Sequence, residues 1–169
     1  MQPQIRSRTN RVLNAVEFLQ DDSAQTQRFF PMIRTMRAPE QQQDRRELIC
    51  HLCRDVVVHM RIEEMIFYPA LRASVDHDTL LNRALAEHAV IQTLVEQLQQ
   101  CDQSPERLEA ALHVLGQHLS EHVSEKEKGL FPAAVNAALD LAALGGLLLE
   151  ASRQLRTEHI ALSPADSTD

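Results

Sequence analysis

The stretch His59–Pro69 reads HMRIEEMIFYP, and His122–Pro132 reads HVSEKEKGLFP. Each places a histidine ten residues before a proline, with acidic residues about one turn on and an aromatic just before the end. His59 continues a stripe of Leu48, Leu52 and Val56, and the stripe runs on through Glu63 and Ile66. His122 continues Leu108, Leu112, Leu115 and Leu119, and runs on to Lys126. Spacings of three and four residues mark one face of an α-helix, so both histidines face the core. The two copies differ four residues after the histidine, where the first has Glu63 and the second Lys126.

The flanking sequence predicts more helices of the same kind. TNRVLNAVEFLQDDSAQTQRFF (9–30) carries Val12, Val16, Leu19, Ser23, Thr26 and Phe30 on one stripe, with Thr9 or Asn10 as cap and Pro31 kinking or ending it. A second helix opens at Pro39 and Glu40 and runs through the His59 stretch. A third carries Leu81, Leu85, His88, Ile91, Val95 and Leu98. The fourth starts with Ser104 as cap and Pro105 at its first position. A shorter helix from about Asp140 to Arg156 packs alongside. Hairpin turn chemistry is missing. The expected fold is an all-α bundle with a short additional C-terminal helix over residues 1–157, leaving 158–169 as a disordered tail.

Composition agrees. The chain has 169 residues, 44% of them hydrophobic, with 4 Gly, 1 Tyr and no Trp. A formal charge of −7 excludes the basic face that non-specific nucleic-acid binding needs. Polar residues and glycines interrupt every long apolar run, so no membrane span is expected. The N-terminus lacks the apolar core of a secretory signal, and 3 cysteines make no disulfide framework, which together predict a cytoplasmic protein. The CHLC of Cys50–Cys53 is a single pair inside a helix and reads as small buried thiols rather than a metal knuckle.

Three histidines in the stripes of three helices carry the chemistry. One histidine on an apolar face is ordinarily a hydrogen-bonded core residue, but His59, His88 and His122 at similar depth suggest a shared centre. His59 and Glu63, spaced i and i+4, leave one helix face toward one point. Imidazoles with hard carboxylate oxygens suit iron, manganese or zinc. His118, one turn before His122, is either a further ligand or a solvated neighbour. His51, His77, His113 and His159 fall off the stripes and read as surface residues.

The order of His59, Glu63, Glu64 and Pro69, then Glu87 and His88, then His122, Glu127, Leu130, Phe131 and Pro132 resembles the hemerythrin-like HHE cation-binding domains. The resemblance covers roughly residues 10 to 155. It implies an up-down four-helix bundle, with the short C-terminal helix as an addition, around a non-haem di-iron centre, with Glu63 and an acid on the last helix bridging the metals. It also implies binding of oxygen or nitric oxide, sensing of iron or redox state, or handling of peroxide. Two positions depart from the family pattern: Asp22 stands where a first-helix histidine ligand is usual, and Lys126 where an acid is usual. Glu127, at the next position, can serve instead, although it points about 140° from His122 against about 40° for Lys126.

Three states of the site follow. Two metals could be held with Asp22 and Glu127 as ligands. One metal could be held by His88, His122, Glu63 and His118 while Lys126 fills the second place. Alternatively, an Asp22–Lys126 ion pair could replace part of the site in a metal-depleted bundle that works as an interaction or regulatory module. The first two predict one or two iron ions, with manganese or zinc as substitutes, and a diatomic ligand. A homodimer through an outer helix face stays open. A peroxidase or oxidase ranks last, for want of substrate-specific residues.

Overall fold

The structure, a computed structural model, describes residues 13–74, 78–100 and 104–162. Helix α1 spans Ala15–Gln27 and α2 Phe29–Thr35. After a 3-10 turn at Pro39–Gln41 come α3 (Gln42–Ile62), a π-helical turn (Glu63–Phe67) and α4 (Tyr68–Ser74). Then follow α5 (Asp78–Leu98), α6 (Pro105–Lys128), α7 (Leu130–Asn136) and α8 (Leu141–Leu162).

Local sequence explains the ends. Asn14 caps α1, its side chain accepting the Glu17 N–H while the Glu17 carboxylate accepts the Asn14 N–H. The helix therefore starts later than the Thr9 or Asn10 expected, two residues that lie outside the described region. Ser104 caps α6 and Pro105 opens it, as expected.

Three prolines break helices upstream of themselves. A proline ring clashes with the carbonyl four residues earlier and offers no N–H to it. Pro31 accordingly separates α1 from α2 at Arg28, and Pro132 separates α6 from α7 at Gly129. Pro69 is accommodated by the π turn, in which the Tyr68 N–H reaches back to the Glu63 carbonyl. The two repeated stretches thus do not end their helices at the prolines; helix continues beyond both.

Two apolar clusters fill the bundle, one at each end of a polar layer. The first contains Leu19, Ile62, Phe67, Leu71, Leu81, Leu130 and Leu148, among others. The second contains Phe30, Leu52, Val56, Ile91, Val95, Leu115 and Leu119. From α1 into α2, and along α5, the chain passes from the first cluster to the second; along α3 into the π turn, and from α6 into α7, it returns, which is up-down antiparallel topology. Between the clusters lie Asp22, His59, Glu63, His88, His122 and Lys126, all buried.

The C-terminal helix is not the short one expected. It runs 22 residues, from Leu141 to Leu162. It packs on α1 and α3. Its Gly145 is pressed against the start of α1, where an added Cβ would lie 2.2 Å from the Leu13 carbonyl oxygen. Residues 163–169 lie outside the described region, so the expected tail is not described beyond the helix end. Cys53 is buried, and burial, with Cys50 nearby, pushes its thiol up to about 12. Cys50, by contrast, is exposed.

Candidate metal centre

The polar layer is organised by one carboxylate. Glu63 is fully buried where α3 gives way to the π turn, and its two oxygens face different neighbours. Oε2 lies 3.2 Å from His88 Nε2 on α5 and 3.6 Å from His122 Nε2 on α6. Oε1 lies 2.5 Å from Lys126 Nζ on α6 and 3.4 Å from His59 Nε2 on α3.

Each histidine is locked from behind. His59 Nδ1–H donates to Asp22 Oδ2, His88 Nδ1–H to Glu64 Oε1 and His122 Nδ1–H to Glu87 Oε2, all at 2.8 Å. A carboxylate only accepts, so each Nδ1 carries the proton and each Nε2 is aimed into the layer. Arg156 of α8 holds the other oxygen of Asp22 at 2.8 Å, and Arg83 holds Glu87 at 3.0 Å.

In the half around Oε2, acceptors confront one another. The Nε2 atoms of His88 and His122 are 3.1 Å apart. Burial, aided by Lys126 and His88, outweighs Glu63 and lowers the His122 pKa, which keeps that imidazole neutral. With each Nδ1 proton given to a carboxylate, the two Nε2 atoms and a carboxylate oxygen meet in a buried pocket, where unpaired acceptors are costly. The Tyr68 hydroxyl, 3.2 Å from both Glu63 Oε2 and His88 Nε2, supplies a single proton among them. Such a group fits a cation of the iron, manganese or zinc class, and Glu63, His88 and His122 have the mutual spacing to hold one.

The half around Oε1 has its cation built in. Lys126 is 1% exposed, and its Nζ donates to Glu63 Oε1 and, at 3.2 Å, to His59 Nε2. Ser23 Oγ also approaches that nitrogen at 3.2 Å. The Phe131 ring lies 5.7 Å from the ammonium and closes one side. Burial would raise the Glu63 pKa, but Lys126 and His59 hold it well below the carboxylate range, so Glu63 is ionised. Burial, and Lys126 after it, would lower the His59 pKa, yet Glu63 and Asp22 together raise it.

The sequence-predicted residues fall into three groups. His59, Glu63, His88 and His122 converge in the layer. Asp22 reaches the layer, but its partners are His59 and Arg156; Lys126 pairs with Glu63, so the Asp22–Lys126 ion pair expected of a metal-depleted bundle is replaced by two separate pairs. Glu127 is exposed, as its angle from His122 on an unbroken helix dictates, and His118 is half-buried; neither joins the three-residue cluster.

Tyr68 also reaches into the layer with its hydroxyl. In an α-helix, a residue five positions on points about 140° away. The π turn closes at five residues instead, which brings Tyr68 back under Glu63. Burial first, then Glu63, raises the phenol pKa well above its ordinary value. Pro69 was the signal in the sequence.

Comparison with known proteins adds the family. Residues 14–134 match the hemerythrin HHE cation-binding domain. The fold is similar to the crystal structure of a hemerythrin HHE cation-binding domain-containing protein from Mycobacterium kansasii, with TM-score 0.75 and 26% identity over 88% of this chain and 91% of that one. No curated protein matches. With the helices, the histidine layer and this match in agreement, the chain belongs to the hemerythrin HHE cation-binding family.

Proposed function

We propose that the protein holds a single non-haem metal ion, iron by preference, on Glu63 Oε2, His88 Nε2 and His122 Nε2, and uses it to bind or sense oxygen or nitric oxide. The carrying observation is the asymmetry of Glu63: one oxygen faces two imidazole lone pairs, the other an ammonium. A second metal ion at Oε1 would stand where Lys126 Nζ already is. Manganese or zinc would suit the same donors. Iron bound there would supply redox chemistry and positions open to a small ligand.

A small, largely apolar cavity of about 20 Å³ favours such a ligand. It is bounded by His59 and His122 together with Thr26, Val56, Met60 and Leu119. That is room for roughly one water-sized molecule. Loading the metal-free protein anaerobically with ferrous ion, then adding nitric oxide, tests the reading. We expect iron retained through desalting and a paramagnetic iron–nitrosyl signal, both lost in His88→Ala and His122→Ala. Trace iron after loading would contradict it.

A further inference from the structure

The cavity beside His59 and His122 lies in the seam between α1 and α6, and that seam continues outward. An open groove of about 410 Å³ follows it, lined by Phe30, Arg34, Gly116, Gln117 and Ser120. Gln27 lines both the groove and the small cavity. On the α1 side it follows Ser23 and Thr26 of the inner wall and precedes Phe30 of the outer one. On α6 the inner Leu119 and Val123 alternate with the outer Gly116 and Ser120. Spacings of three and four residues put each set on one helix face. The two spaces are therefore consecutive compartments of one seam, and Gln27 is the partition between them.

Local structure makes that partition movable. Helix α1 ends at Gln27, because Pro31 breaks the chain at Arg28, so the side chain leaves a helix end rather than a packed turn. It is half-buried, and among the described residues no hydrogen bond holds its amide. Gly116 adds no side chain to the groove floor, and the Phe30 ring packs over it, 3.4 Å from where a Cβ would stand. A rotamer change at such a position is fast. A second small space, of about 20 Å³, reaches Lys126 between α5 and α6, but its walls include Arg83, Glu87 and Glu125. It leads to the half of the layer that the ammonium fills. A neutral, weakly polar diatomic molecule partitions instead into the α1–α6 seam, where Val56, Met60, Leu119 and Val123 form the inner wall.

We infer that Gln27 determines the size of ligand that reaches the ion: it parts the groove from the cavity, admits a diatomic molecule by swinging aside, and excludes longer ones. The inference rests on the reading of oxygen or nitric oxide binding at the single ion given above.

Stopped-flow mixing of ferrous-loaded protein with nitric oxide tests the path, and n-butyl isocyanide, a ferrous ligand with an apolar tail, tests the size limit. Gln27→Trp should slow nitric oxide association at least about tenfold, with iron content, helical circular dichroism and the final iron–nitrosyl signal as in wild type. Gln27→Ala, which joins the cavity to the groove, should bind n-butyl isocyanide at least about tenfold more tightly than wild type, the tail lying in the groove. An unchanged association rate in Gln27→Trp, or equal isocyanide affinity in Gln27→Ala and wild type, would overturn the inference and leave the metal reading standing. If wild type gives no iron–nitrosyl signal, the metal reading fails and takes the inference with it.

Discussion

Lys126 sits on the buried stripe of α6 and donates to Glu63 Oε1 and His59 Nε2, so its charge is matched inside the protein rather than by water. Removing one member of such a pair strands the other charge, at a cost of about 3–5 kcal/mol. Lys126→Met, measured by denaturant unfolding with chelator present, should lose about that much stability; a loss under about 1 kcal/mol would mean that Glu63 does not depend on the ammonium. Asp22 gives a pH prediction. Burial raises its pKa, but His59 and Arg156 outweigh burial and bring it below the unfolded value of 3.8. Its contribution is therefore present above pH 3.8 and disappears as pH falls through the lower folded value. Asp22→Asn should cost about 2 kcal/mol at pH 7, and the gap from wild type should close on acidification below 3.8; a gap that widens there would refute the assignment. The histidines and Lys126 were legible because they repeat at helical spacing within apolar stripes. The partner of Lys126 was not, since spacing fixes which face a side chain leaves and not which oxygen it meets.

Helix identity was readable, and helix ends were readable where capping chemistry is local, as at Ser104 and Pro105. Helix ends were hidden where one residue acts several positions away. Pro31, Pro69 and Pro132 break the chain upstream of themselves, and the π turn made by Pro69 altered which face Tyr68 leaves. Length of α8 was underestimated because its buried face is set by α1 and α3 rather than by its own pattern. Its adjacent glycines provide a paired test. A Cβ at Gly145 would collide with backbone at the start of α1, whereas Gly146 has nothing within 4 Å. Gly145→Ala should destabilise by about 1–3 kcal/mol as α8 is pushed from α1. Gly146→Ala should stabilise by about 0.5–1 kcal/mol through helix propensity alone. Thermal melts of both variants check this, and equal signs would contradict the packing of α8.

Burying three locked histidines, a carboxylate and a lysine in one layer, between two apolar clusters, is costly for a bundle that could fill the space with hydrophobic side chains. The arrangement makes sense if a cation completes it. A bound ion then stabilises the native state by linkage, by about 2.7 kcal/mol at a free concentration one hundred times its Kd. Melting temperature should therefore rise with added ferrous or zinc ion in wild type and stay flat in His88→Ala. The helices and the place of the histidines on their buried stripes could be read from periodicity and the up-down topology from the family resemblance, but the number of ions could not, because it depends on where the Lys126 ammonium lies within the layer. The most direct measurement is an anomalous-scattering map of crystals grown from iron-loaded protein. The account predicts one peak per chain, bounded by Glu63 Oε2, His88 Nε2 and His122 Nε2, with Lys126 Nζ still on Glu63 Oε1. Two peaks, with the lysine displaced from Oε1, or no peak at all, would contradict it.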